Sequence, residues 1–113
     1  MDDIILSRID SIIKNIDLVL SDTKGIRIED LDDKSALLRA TCFSISQIGE
    51  HMNVLQSKLE DRYPNLSWRG ARVMRNFIVH DYGNVDRDYV ADTIKNDLPK
   101  LRENIILIRK DFE

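Results

Sequence analysis

Helix breakers are scarce in this chain, and that scarcity constrains its fold more than any other feature. Only four glycines and two prolines occur among its 113 residues. Because these two residue types most disfavour helix interiors, long uninterrupted helices are expected. Apolar residues also recur at spacings of three and four, which is the period of an amphipathic helix and not that of a strand. The sequence therefore predicts an all-α fold.

Four helical segments follow from this periodicity and from the turn and capping signals between them. The predicted helices span about residues 3–20, 33–62, 66–80 and 86–112. Asp86 is expected to cap the last helix, and Pro99 should kink or split it, since proline removes a helical hydrogen bond. Short connections favour an antiparallel bundle of four to five helices, built as a single domain of residues 1–113.

Composition bounds the class of protein. Charged residues make up 33% and hydrophobic residues 42%, as in a soluble globular protein. The N-terminal stretch MDDIILSRID is acidic at its start, so no secretory signal is expected. The single cysteine, Cys42, excludes an internal disulfide, fits a cytoplasmic location and is expected to be a small buried side chain.

The charge distribution is uneven. The formal net charge is −3, yet residues 62–80 hold four arginines and no acidic residue. A basic segment on an acidic body can present a local anion site. The alternative is a solvated helix face without function.

A helical wheel over residues 68–82 divides the third helix into two faces. The apolar half holds Val73, Phe77, Gly70, Met74, Ile78 and Ala71. The polar half holds Arg69, Arg72, Arg75, Asn76 and His80, with Tyr82 close to the line of Arg75 if the helix extends that far. Trp68 and Val79 are apolar exceptions on the polar half.

The polar half has the chemistry to handle a phosphodiester. The guanidinium fork of Arg75 matches phosphate oxygens and can stabilise the charge of a pentacoordinate transition state. His80 titrates near neutral pH and can move a proton to or from a ribose hydroxyl, and Asn76 stands one turn before it. One histidine supplies one proton-transfer group, so a symmetric dimer that faces the two third helices toward each other would supply the second. Alternatively, His80 is only a favourable partner of the helix dipole.

Other candidate sites are poorer. Glu50 and His51 follow Gly49 in the second helix, but no second ligand stands at metal spacing. Both are expected to be exposed or to orient a partner, with Glu50 a possible member of the cleft. The acidic cluster at residues 29–33 lacks the glycine and terminal glutamate of a calcium loop.

The stretch RNFIVHDY at residues 75–82 resembles a signature of HepT-like proteins: an arginine, four residues, a histidine, one residue and a tyrosine. These are the HEPN-domain toxins that are paired with MNT-type nucleotidyltransferase antitoxins. The likeness extends to the blocks SWRGARVMRNFIVHDYGNVD, SQIGEHMNVL and DTIKNDLPKL, which together cover about residues 44–101.

The resemblance implies a homodimeric all-α HEPN bundle with a composite cleft at the dimer interface. It implies a cytoplasmic, metal-independent endoribonuclease toxin of a type VII toxin–antitoxin module, needing no cofactor, with Arg75 and His80 as the catalytic pair and Asn76 as a polar helper. Arg69 and Arg72 are candidate contacts for RNA phosphates. Tyr82 takes the position onto which the MntA-like antitoxin of such a module transfers AMP. The rival expectation is a catalytically inactive scaffold, or substrate-binding subunit, of a nucleotidyltransferase.

Overall fold

The structure is a computed structural model that describes residues 2–76 and 86–113, leaving out the side chain of Asp2, and it contains helices and no strand within these ranges. Its elements are α1 (Asp2–Asp22), a 3₁₀ turn (Ile28–Asp30), α2 (Ala36–Leu59), α3 (Trp68–Arg75), α4 (Arg87–Asp92), a π-helical turn (Thr93–Asp97) and α5 (Leu98–Lys110). The predicted all-α class is confirmed. None of the described helices is long and apolar enough to cross a membrane.

The hydrophobic core lies between the apolar faces of α1, α2 and α5. Its fully buried side chains are Ile9, Ile12, Ile16, Val19, Leu38, Ile45, Ile48, Met52, Leu55, Leu59, Leu98 and Ile105. Most of these lie on the stripes of three and four that predicted the helices. Tyr89, near the start of the last predicted helix, is 46% exposed.

Two ion pairs show that α1 and α5 run antiparallel. Arg102 donates from Nε to Asp17, and Arg109 donates from Nε to Asp10, each across 2.7 Å. Residue numbers rise along α5 as they fall along α1, as antiparallel packing requires. These exposed pairs fix the alignment of the two helices more than they add to stability.

The ends of the helices follow local side-chain chemistry. Asp86 accepts a hydrogen bond from the backbone N–H of Tyr89 at 3.1 Å, so the predicted cap of α4 is confirmed. The second helix was predicted from residue 33 to 62 but spans Ala36–Leu59. It begins later because the hydroxyl of Ser35 caps it, while Asp33 pairs with Arg87.

Pro99 is accommodated by the π-helical turn without a break in the helix. The backbone N–H of Leu98 bonds to the carbonyl of Thr93, five residues back instead of four. This widened turn directly precedes Pro99, which has no N–H to donate. Residues 87–110 therefore form one continuous helical run with a single irregular turn before the proline, so the predicted split does not occur.

The third helix ends earlier than predicted. It was expected to reach about His80, but α3 ends at Arg75 with Asn76 as its C-cap. The Asn76 N–H bonds at 3.0 Å to the carbonyl of Val73, three residues back, which tightens the last turn. Gly83 and Asn84, residue types that favour the end of a helix, lie outside the described residues.

Candidate functional site

Gly49 is the point where the backbones of α2 and α3 approach most closely. A Cβ atom at this position would lie 2.5 Å from the backbone nitrogen of Arg75 and 2.9 Å from the carbonyl oxygen of Ala71. Such distances leave no room for a side chain larger than hydrogen. Glycine therefore lets the two helices meet, and the next residue of α2, Glu50, is brought beside the last residue of α3, Arg75.

Arg75 and Glu50 form an ion pair across this contact. The Nε atom of Arg75 donates to Glu50 Oε2 at 3.0 Å. Both side chains are partly exposed, at 41% for Arg75 and 48% for Glu50. The bond uses Nε, and neither terminal Nη group bonds to another described residue.

The ion pair lies in a cleft of about 640 Å³ between α2 and α3. Its lining residues are Ser46, Gln47 and Glu50 from α2, with Arg69, Arg72, Val73, Arg75 and Asn76 from the α3 segment. Five of the residues singled out from the sequence, namely Arg69, Arg72, Arg75, Asn76 and Glu50, thus lie in one cleft.

The cleft has an excess of positive charge. Three arginines face one glutamate there, on a chain whose formal net charge is −3. Arg69 and Arg72 are exposed and make no ion pair with the residues the structure describes. Two arginines with unmatched charge, beside a third that is already oriented, suit an anion with more than one charged group.

Two further predictions for this region fall outside what the structure describes. His80 and Tyr82 lie in the segment 77–85, which is not part of the described ranges. Val79 lies in the same segment. The structure therefore describes the arginine side of the predicted catalytic pair but not the histidine side.

The wheel placed two residues of α3 wrongly. Trp68 was expected on the polar face, yet it is 6% exposed and its Nε1 donates to the carbonyl of Tyr63 at 3.0 Å. Trp68 sits in the first turn, where its ring folds back onto the end of α2 and into the chain's own core. It is therefore not available to pack against a second copy. Val73 was expected in the core but is 38% exposed and lines the cleft.

Sequence reasoning missed the contribution of Ser46 and Gln47. Gln47 precedes Glu50 by three residues and so shares its helix face, a signal that was present in the sequence. Ser46 is nearly buried, and its hydroxyl donates to the carbonyl of Phe43 at 2.5 Å. This bond keeps the serine hydroxyl on its own helix at the floor of the cleft.

His51 faces α1 and not the cleft. Its Nδ1 lies 3.0 Å from Nη1 of Arg8, and since a guanidinium only donates, Nδ1 accepts. Burial, and then the charge of Arg8, lower the pKa of His51 from its ordinary value of 6.5. His51 is thus a partly buried contact between α2 and α1.

Cys42 is buried, as predicted. It is fully covered, and burial raises the pKa of its thiol to about 11. A thiol with such a pKa is not a nucleophile at neutral pH. No group of three or more histidine, cysteine, aspartate or glutamate side chains that could hold a metal ion occurs within the described ranges.

The described residues form an all-α protein with an arginine-lined cleft between two helices. Residues 9–108 match the family described as Ribonuclease HepT-like. The chain belongs to this family, which is a family of RNA-cleaving enzymes. The resemblance drawn from the arginine–histidine–tyrosine signature is thereby confirmed.

Individual relatives agree with this membership. The chain is 30% identical to the "Probable ribonuclease HepT" of Thermococcus cleftensis, over 90% of this chain and 93% of that one. It is 26% identical to a candidate RNase of Methanocaldococcus jannaschii, over 90% of this chain and 84% of the relative.

A further relative from Methanocaldococcus jannaschii is longer. Its name joins gamma-glutamylcyclotransferase with a candidate RNase. The two sequences are 28% identical over an alignment that covers 90% of this chain. The chain spans 46% of that protein's length. No solved structure matches the chain at a significant level.

Proposed function

We propose that the cleft between α2 and α3 is the RNA-cleaving site of an endoribonuclease that needs no metal ion. The observation that carries this proposal is the arrangement around Arg75. Its Nε is held by Glu50, and Arg69 and Arg72 lie in the same cleft without an ion pair to any residue that the structure describes. Family membership supplies the reaction class.

The reaction is attack by a ribose 2′-hydroxyl on the adjacent phosphorus. His80, or its counterpart in a second copy, removes the 2′-hydroxyl proton as the O2′–P bond forms. A second imidazole donates a proton to the 5′-oxygen as the P–O5′ bond breaks, leaving a 2′,3′-cyclic phosphate and a 5′-hydroxyl. Arg75 stabilises the negative charge that develops on the phosphoryl oxygens.

The remaining cleft residues hold the RNA backbone. Arg69 and Arg72 bind phosphates that flank the reacting one, and Asn76 donates its amide to a phosphate oxygen or to the imidazole. Since each chain offers one His80, two copies form a homodimer with a composite cleft. Trp68 does not contribute to this dimer interface, because its side chain is already buried in its own chain.

The protein acts in the cytoplasm as the toxin of a type VII toxin–antitoxin module, and its partner is an MntA-like nucleotidyltransferase antitoxin. The partner transfers AMP from ATP onto the hydroxyl of Tyr82, with pyrophosphate leaving. An anionic adenylate beside the catalytic pair repels the RNA phosphate and blocks entry. The signature at residues 75–82 supports this proposal.

A non-catalytic function is the second candidate, and the Arg75–Glu50 pair favours it. An arginine whose charge is already matched can serve as a structural link between helices, in which case the dimer acts as a scaffold or substrate-binding subunit of a nucleotidyltransferase. The two candidates differ in one readout. The purified chain is incubated with end-labelled RNA in EDTA, beside the variant His80→Ala.

The nuclease predicts fragments that end in cyclic phosphate for the wild type and intact RNA for His80→Ala. It also predicts an unchanged molecular mass by light scattering for the variant. RNA left intact by the wild type, together with tight binding of a nucleotidyltransferase, supports the scaffold. Cleavage by His80→Ala at the wild-type rate contradicts the assigned role of His80.

A further inference from the structure

Two side chains of α2, at the cleft and one turn before it, have no role in the proposed reaction. Phe43, one turn before the cleft residue Gln47, is 53% exposed, an unusual state for a phenylalanine. Gln47 is half-buried in the cleft wall, and its amide makes no hydrogen bond to any residue the structure describes. Among the described residues, neither the exposed ring nor the amide has a polar partner that would compete with a ligand.

These side chains form one row that leads to the arginines. Phe43, Gln47 and Glu50 follow each other at spacings of four and three, so they lie on the same face of α2. Glu50 holds Arg75, which places the row's far end at the predicted reaction centre. Across the cleft, the exposed Val73 adds an apolar surface beside Arg72.

An aromatic ring, a free carboxamide and a group of arginines together match the parts of a nucleotide. Aromatic side chains stack on bases that are not paired, and this stacking tolerates any base because each has a π face. A glutamine amide offers a donor and an acceptor side by side, which suits the edge of a base. The arginines attract the polyanionic backbone, which selects RNA as the occupant of this row.

We propose that the α2 face formed by Phe43 and Gln47, at the edge of the cleft, is a nucleobase subsite, where Phe43 stacks an unpaired base and Gln47 hydrogen-bonds to its edge. This rests on the proposed RNA-cleaving function and adds a selection step to it. In a duplex the base is stacked on both faces and its pairing edge is occupied, so neither side chain reaches it. The subsite therefore directs cleavage to single-stranded segments and sets a nucleotide preference next to the cut.

The test uses the purified full-length chain, a labelled single-stranded RNA of mixed sequence, and the same strand annealed to its complement. Phe43→Leu keeps apolar bulk and removes the ring, while Gln47→Leu keeps the size and removes the amide. Leu107→Ala is the matched control, since Leu107 is 60% exposed on α5 and does not line the cleft. Circular dichroism and light scattering are recorded for every variant.

The wild type is expected to cut the single strand and spare the duplex. Phe43→Leu raises KM for the single strand by roughly tenfold, the loss expected from one stacked base. Gln47→Leu should cleave the single strand with a weaker preference for particular nucleotides next to the cut. Leu107→Ala should behave as the wild type.

Normal KM and normal cut sites in both cleft variants overturn the subsite and leave the nuclease standing. A change of molecular mass in Phe43→Leu also overturns it, because the ring then covers a second copy of the chain. No cleavage by the wild type overturns the proposed function and the subsite with it.

Discussion

At the scale of the residue, the pair formed by Arg75 and Glu50 organises the candidate site. Glu50 holds the guanidinium by its Nε, and the two Nη groups bond to no other described residue. The same carboxylate adds a negative charge where the RNA phosphate must bind. Its two effects, orientation and repulsion, oppose each other, and they are separable by substitution.

Glu50→Gln keeps an acceptor for Arg75 Nε and removes the charge, so RNA binding should tighten. An exposed ion pair contributes up to about 1 kcal/mol, so the expected change in Kd is a few-fold. Glu50→Ala removes the acceptor as well, and kcat should fall because the guanidinium loses its fixed orientation. Fluorescence anisotropy with labelled RNA measures the first effect and single-turnover cleavage the second. Equal behaviour of the two variants would contradict the orienting role.

His51 should make the stability of the protein depend on pH. Burial and Arg8 lower its pKa in the folded state, so the fold favours the neutral imidazole. The unfolded chain then binds more protons, and the stabilisation is present above the ordinary pKa of about 6.5 and lost as pH falls through the folded value. Urea unfolding at pH 7.5 and pH 5.5 should show a larger loss for the wild type than for His51→Gln. An equal loss in both proteins would mean that His51 is not the titrating group.

The sequence grouped the arginines of the cleft correctly but did not predict which residues of other helices contact them. Arg69, Arg72, Arg75 and Asn76 were found because they share one short segment. Glu50 was predicted only as a possible member of the cleft. Its contact with Arg75 joins residues 25 positions apart on two different helices, and the periodicity of a single helix does not predict such a contact. Trp68 and Val73 were misplaced because a wheel gives angular position alone. Trp68 is buried at the start of α3, where its ring bonds to the Tyr63 carbonyl, and Val73 lies where α3 lines the open cleft.

At the scale of the element, Gly49 sets how closely α2 and α3 can pack. Gly49→Ala would gain helix propensity, yet its methyl group would meet the Arg75 backbone at 2.5 Å. Separating the helices should destabilise the protein by about 1–3 kcal/mol. Gly70→Ala is the control, because there the methyl group meets the hydroxyl of Ser67, a side chain that can rotate. Urea unfolding should show Gly49→Ala to be the less stable of the two, and the reverse order would contradict the close approach.

The π-helical turn keeps α4 and α5 in register with the core. Thr93 and Leu98 are both buried although they are five residues apart, which fits one turn of π-helix. Deleting the exposed Lys95 would turn this into an ordinary spacing of four and leave both residues on the core face.

The shortened protein should therefore fold with near-normal stability. Deleting Glu103, exposed on α5, rotates every residue on one side of it by about 100° and should disrupt the core. Thermal unfolding followed by circular dichroism compares the two deletions, and equal damage would contradict the register role. Pro99 predicted an irregularity in this helix. That the irregularity is a π-helical turn was not predictable, because it depends on which side chains pack in the core.

At the scale of the whole molecule, fold class was the most predictable property. Few glycines and prolines, with apolar residues at spacings of three and four, required helices before any tertiary contact was considered. The arrangement of charge was predictable only in part. An excess of arginine in one segment was visible, but the surface on which those side chains meet depends on the α2–α3 contact at Gly49.

The central claim is that this arginine-lined cleft cleaves RNA, and the rate of cleavage by two arginine variants tests it most directly. Arg75 and Arg109 are both partly exposed arginines held through Nε by a carboxylate, one in the cleft and one pairing α5 with α1. Arg75→Ala should lower the single-turnover rate on labelled RNA in EDTA by roughly 10²- to 10³-fold, because it removes one donor that stabilises the transition state. Arg109→Ala should keep the wild-type rate. Equal rates for the two variants would contradict the claim.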